Sequence, residues 1–142
     1  MLSNLGPLSH CHSCGYRELD TIKQPCPNCK GRLKVMQDLW VGKVWDQEFC
    51  ELVLNENEKY GFSEVDKLLR LLLKDSKSPP LYYNIHKLCK KLKISPPKTS
   101  SLLNRLKEKG FHVSKSHFCE FCIKTNAPIS ELEMSLIREL DK

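Results

Sequence analysis

From Ser63 onward the hydrophobic positions of this chain repeat at helical spacing. Val65, Leu68, Leu69 and Leu72 form one apolar stripe, opened by Ser63 and Asp66 as a capping-box-like pair and stopped by Pro79-Pro80. Asn84 is placed to cap a second helix with the stripe Ile85, Leu88, Cys89 and Leu92, whose other faces carry His86, Lys87, Lys90, Lys91 and Lys93. Ser95-Pro96-Pro97 reads as a cap and proline start for a third helix, which buries Leu102, Leu103 and Leu106 and closes at Gly110. "FHVSKSHF" then alternates like a strand, and "CIKTN" can return as its partner. Ser130 and Glu133 make a capping box for a last helix holding Leu132, Leu136, Ile137 and Leu140. Upstream, Leu39-Trp40-Val41-Gly42 reads as a strand ending in a turn. Asp46 caps a helix in which Phe49, Cys50, Val53 and Leu54 recur, and Trp40 and Trp45 are expected in the core beside it. Helix, helix, short turn, helix and then a two-stranded hairpin is the order of a winged helix.

The segment before these helices has almost no apolar core, and its cysteines supply an alternative. Cys11 and Cys14 form one Cys-x-x-Cys pair, Cys26 and Cys29 another. Two intervening residues let both sulfurs of a tight turn face one ion, and glycine after the second cysteine suits the left-handed backbone such a turn needs. Two such knuckles complete a closed sulfur tetrahedron, which leaves no position for substrate and points to a structural zinc. In so small a segment the ion would provide most of the folding energy. An iron centre on the same ligands and a pair of disulfides are the rival readings, and His10 and His12 flank Cys11 as competing ligands. A third pair, Cys119 and Cys122, falls at the hairpin tip. A further metal there would recruit His112 and His117, but residues five apart on an alternating strand face opposite ways. A redox pair lacks its usual βαβ context, so free hairpin thiols are expected. Cys50 and Cys89 sit on apolar stripes and read as core.

Composition narrows the setting. In 142 residues, no window approaches the roughly 20 apolar residues of a membrane span. "MLSNLGPLSH" lacks the basic start and long apolar block of a signal peptide, so a cytoplasmic chain with reduced thiols and no membrane partner is expected. Charge is uneven. Residues 1–62 carry 7 Lys/Arg against 8 Asp/Glu, whereas Ser76–Asn126 carries 11 against 2. A basic block on a folded module is the footprint of a polyanion, with solvated surface lysine as the plain alternative.

Several segments together carry a resemblance: "CHSCGYRE", "CPNCKGRL", "LWVGKVWDQEF", "SPPLYYNIHKLCKKLKISPPKTSSLLNRLKEKGFHVSKSHF" and "IKTNAPISEL". With them the chain resembles the tRNA (guanine-26-N2)-dimethyltransferase family, over the region that follows the catalytic domain. The resemblance implies a tRNA-binding role and a methyl donor, S-adenosylmethionine. The family's donor-binding domain has no counterpart in the sequence, which lacks a Gly-rich strand-turn-helix. The donor would therefore act only through a separate catalytic domain, in a split enzyme with a second methyltransferase chain, or not at all in a truncated or repurposed binder. The expected fold is α+β: residues 1–38 a tail and four-cysteine zinc ribbon, 39–60 a Trp-containing connector and helix, and 61–142 a winged-helix-like basic module with a C-terminal helix. Lys90, Lys91, Lys98, Arg105, Lys107, Lys115 and Lys124 are the expected tRNA phosphate contacts. The resemblance adds His117 and Thr125. A zinc-ribbon and winged-helix DNA-binding transcription regulator is the alternative.

Overall fold

A computed structural model describes residues 4–137. The chain opens with an antiparallel sheet of order β2-β1-β3, made from β1 (Leu5–His10), β2 (Arg17–Leu19) and β3 (Lys34–Trp40). Leu8 of β1 pairs with Leu19 on one side and Met36 on the other, and the register of β1 and β3 shifts between Gly6 and Leu8. Pro7 lies at that shift. It has no N–H to give the ladder, so the irregularity falls where the ladder is weakest.

An antiparallel helix pair follows, α1 (Gln47–Asn57) and α2 (Ser63–Asp75). Asp46 caps α1 as expected, its carboxylate accepting from Phe49 N–H at 2.9 Å. The cap of α2 is Phe62, not Ser63, and no side chain bonds there. Asn57 holds that turn instead, donating to the Phe62 carbonyl at 3.0 Å. Asp66 faces Arg70 one turn on, not the helix start. Two apolar stripes pack on one another here, and the pair is too small to cover both. Cys50 and Leu69 are buried, whereas Phe49, Val65 and Leu68 stay exposed.

The remaining elements are β4 (Tyr83–Asn84), α3 (Ile85–Leu92), α4 (Thr99–Glu108), β5 (Val113–Lys115), β6 (Cys122–Thr125) and α5 (Ile129–Ile137). Their strands form a second sheet of order β4-β6-β5. Asn84 caps α3, accepting from Lys87 N–H at 3.0 Å. Lys93 ends α3 in the left-handed region at φ 57°, and Ile94 N–H closes back on the Cys89 carbonyl. Helix α4 begins after Lys98, so Ser95-Pro96-Pro97 belongs to the loop and not to the helix start. Two prolines in a row supply no N–H, and each disfavours helical backbone in the residue before it. Gly110 takes φ +84° behind α4. Helix α5 begins at Ile129, which puts Ser130 inside it and not at its cap. The expected Leu140 lies outside the described residues.

The main core joins α3, α4, α5 and the second sheet through Ile85, Leu88, Leu102, Leu106, Ile123 and Leu132, among others. Each side chain of this size contributes about 1.5–3 kcal/mol on burial. A second, much smaller core holds Cys11, Cys26 and Leu33. Tyr16 packs against both. Neither tryptophan is core: Trp40 is 55% exposed, and Trp45 is half-buried. No described helix is long and apolar enough to cross a membrane.

Candidate metal centre and basic cleft

The two knuckles are built alike. Gly15 N–H donates to the Cys11 carbonyl at 2.8 Å, and Lys30 N–H donates to the Cys26 carbonyl at 2.9 Å. Cys11 N–H returns to the Tyr16 carbonyl at 2.7 Å, and Cys26 N–H to the Gly31 carbonyl at 2.8 Å. The residue after the second cysteine is left-handed in both, Gly15 at φ +81° and Lys30 at φ +62°. In the second knuckle glycine is thus displaced by one position. Gly31 serves close approach instead: a Cβ there would stand 3.3 Å from Cys29 Sγ and 3.8 Å from Cys11 Sγ.

These turns bring all four sulfurs within 4.8 Å of one another. Cys11 and Cys29 Sγ are 3.5 Å apart, Cys14 and Cys26 Sγ 3.6 Å. A tetrahedral sulfur site with bonds of about 2.3 Å has edges of about 3.8 Å, so the set fits one ion. Tyr16 N–H points at Cys14 Sγ from 3.4 Å, as an amide supporting a thiolate would. Burial acts to raise the Cys11 thiol, but the Cys14 N–H and the Cys29 thiol pull it down to about 6. At Cys29 the Gly31 N–H lowers the thiol, yet the surrounding sulfurs drive it up to about 12. Thiols this close compete for ionisation, and a divalent cation would remove the competition. His10 and His12 stack edge to face on each other at 4.6 Å, outside this sulfur cluster.

Cys119 and Cys122, expected as free hairpin thiols, are joined in a disulfide. The tight turn sets their Cα atoms 5.2 Å apart, inside bridging range. The two histidines weighed as partners for them are engaged elsewhere. His112 Nε2 meets Ser78 Oγ at 2.8 Å, and His117 Nδ1 lies 3.9 Å from Asp75.

The expected phosphate contacts divide into three groups. Lys90 and Lys91 are exposed on α3 and line a cleft of about 770 Å³ between that helix and the first knuckle. Lys107 and Lys115 meet at a second hollow of about 550 Å³, joined by Lys74 from α2. Lys98 is exposed at the start of α4, and the half-buried Arg105 donates to the Ser135 carbonyl of α5 at 3.1 Å.

Lys124 and Thr125 are corrected by the structure. Lys124 is 1% exposed, 2.8 Å from Asp75 Oδ2 and 4.3 Å from the centre of the Trp45 ring. Its neighbour Thr125 is also buried, donating to the His112 carbonyl at 2.8 Å. Neither side chain can reach a phosphate, because each is spent inside the fold. His117 is half-buried against Trp45, and burial together with the Lys124 charge holds its pKa below the ordinary histidine value.

The cleft also contains residues that the sequence reading did not assign to a nucleic-acid surface. His10, His12 and Arg17 reach it from the ribbon, Lys87 from α3, and Tyr82 and Phe118 from the ends of the second sheet. Among the described residues, no carboxylate lines it. Burial, then the charges of His12, Arg17, Lys91 and Lys34, keep the His10 pKa below its ordinary value. Lys91 ties the two walls together, donating to the His12 carbonyl at 2.7 Å.

Residues 1–137 match the family model of the N2,N2-dimethylguanosine tRNA methyltransferases. The tRNA (guanine(26)-N(2))-dimethyltransferase of Methanobrevibacter smithii is 39% identical over 140 residues, covering 93% of this chain and 36% of the relative. That of Methanosphaera stadtmanae is 33% identical over 144 residues, covering 96% and 37%. Trm1 from Pyrococcus horikoshii, solved with S-adenosyl-L-methionine, shares the fold with a TM-score of 0.76 at 24% identity, over 95% of this chain and 36% of that one. The chain therefore spans little more than a third of the length of these relatives. A match running through nearly every residue from the first knuckle to α5 is decisive for kinship: the chain belongs to the N2,N2-dimethylguanosine tRNA methyltransferase family.

Proposed function

We propose that this chain is the tRNA-holding part of a tRNA (guanine-26-N2)-dimethyltransferase-like protein. The observation that carries the reading is the cleft between the first knuckle and α3, lined by cationic and aromatic side chains and, among the described residues, by no carboxylate. In a family whose members are named for methylating tRNA, such a surface suits the phosphate backbone. Zinc in the four-sulfur site would fix the ribbon and so the wall that carries His10 and His12. It would brace the fold and not take part in chemistry, because four cysteines leave no open position. The order α2, β4, α3, α4, β5, β6, with a sheet of order β4-β6-β5, supports reading the second part as a winged helix. Its inward-facing Lys124 and Thr125 shift the expected RNA surface from the hairpin toward α3 and the start of α4.

Methyl transfer itself is assigned to sequence beyond the third of the relatives that this chain spans, in a separate domain or chain that holds S-adenosylmethionine. The names of the relatives favour RNA over the DNA-binding regulator. A double Lys90→Ala, Lys98→Ala variant tests the reading. Each lost phosphate contact should reduce the slope of log affinity against log salt by about 0.7–0.9, so the pair should flatten it by about 1.5 and weaken tRNA binding at low salt. Unchanged affinity and slope, measured by filter binding at several salt concentrations, would remove the assignment. Tighter binding of duplex DNA than of tRNA at matched salt would reverse the choice of partner.

A further inference from the structure

The cleft carries more than charge. Tyr82 and Phe118 stand 5.1 Å apart, ring centre to ring centre, tilted by 30°, and both are exposed, Phe118 at 53%. Neither is there by sequence proximity. Tyr82 precedes β4 and Phe118 lies in the β5–β6 connection, and the pairing of β4 with β6 brings the two segments together. Each is anchored by a neighbour. Arg17 donates to the Tyr82 carbonyl and lies over the neighbouring Tyr83 ring at 3.8 Å, while the His117 ring backs Phe118 at 4.1 Å. An anchored aromatic pair that stays exposed offers a platform for another flat π system.

The size of the space decides what can use that platform. About 770 Å³ lies within the roughly 300–1,000 Å³ typical of small-molecule sites, too small for a double helix to enter. One nucleotide is both flat and anionic, and the cleft is lined by both aromatic rings and ammonium groups. Resting on the tRNA reading above, we propose that the cleft holds one unpaired nucleotide of the RNA, its base against Tyr82 and Phe118 and its phosphates on Lys87, Lys90 and Lys91. The chain thereby distinguishes an unstacked position in folded RNA from a continuous helix. Stacking is indifferent to base identity, so the site recognises an exposed base without reading a sequence.

Fluorescence anisotropy on the whole zinc-loaded chain tests this with two RNA probes of equal charge, a single-stranded oligonucleotide and a blunt duplex. Phe118→Leu and Tyr82→Leu keep apolar volume but remove the π face, and Tyr82→Phe keeps the ring. Each leucine variant should weaken binding of the single strand by about tenfold, leave the duplex within about twofold, and abolish the quenching of a 2-aminopurine placed in the strand. Tyr82→Phe should behave as the parent. Equal losses on both probes, no loss on either, or tighter binding of polyglutamate than of the single strand would overturn the nucleotide site while leaving tRNA binding intact. If the unaltered chain fails to bind tRNA at all, the function proposed above falls together with this site.

Discussion

Replacing Asp75 with alanine is expected to cost about 3–5 kcal/mol of stability, because it leaves the Lys124 ammonium buried without a counter-charge. Both side chains are sealed from solvent at the junction of α2 with the second sheet. Lys124 Nζ approaches Oδ2 at 2.8 Å, an ionic contact whose angles fall short of a hydrogen bond. Ser114 donates to Oδ1 at 2.8 Å and meets Ser78 at 2.7 Å, and Ser78 in turn meets His112. Asp75 sits in the last turn of α2, where a carboxylate opposes the helix dipole, so the nearby ammonium also offsets that repulsion. Urea titration should show a lower midpoint at an unchanged slope. The double variant Asp75→Ala, Lys124→Met should recover most of the loss, since removing both charges avoids the unpaired one. A single-variant loss below about 1 kcal/mol would mean that water reaches the pair.

The second large effect concerns the sulfur site. Stripping the ion with a strong chelator, or replacing Cys11 by serine, should unfold the ribbon, because structural zinc sites of this kind contribute about 10–16 kcal/mol of apparent binding energy. The ribbon has little else: its core is Cys11, Cys26 and Leu33, with Cys14 and Tyr16 beside it. Hydrogen exchange provides the resolution needed. Amides of β1 to β3 should lose protection while those of α3 and α4, built on the larger core, keep theirs. Elemental analysis should give one zinc per chain before treatment and none after. Metal loss with unchanged protection across Leu5–Trp40 would show that the sheet stands on its own packing. Acidification should release the ion as well, since the ligands bind it only as thiolates.

What the sequence disclosed follows the range of the interactions involved. The four cysteines and the Asn84 and Asp46 caps were legible because each depends on residues within a few positions. Leu102 and Leu106 were legible because a buried helical stripe repeats locally. Caps drawn from short motifs alone were less secure: Ser63 and Ser95 have suitable side chains, but the turn at Phe62 and the extended Pro96-Pro97 segment set the starts elsewhere. Lys124 misled for a different reason. A lysine in a segment rich in basic residues reads as surface, and only its distant partner Asp75 draws it inside. Phe49 and Leu68 misled in the opposite sense, being apolar at core spacing but with nothing left to cover them. The cleft was illegible because its walls come from the ribbon, α3 and the β5–β6 connection, and no local pattern announces that they meet.

Tyr16 joins the ribbon to the helical part. Its ring touches both hydrophobic clusters, its N–H faces Cys14 Sγ and its carbonyl receives Cys11 N–H. One residue therefore belongs at once to the first knuckle and to the larger core, so disorder among the four sulfurs would be passed to the helical part through it.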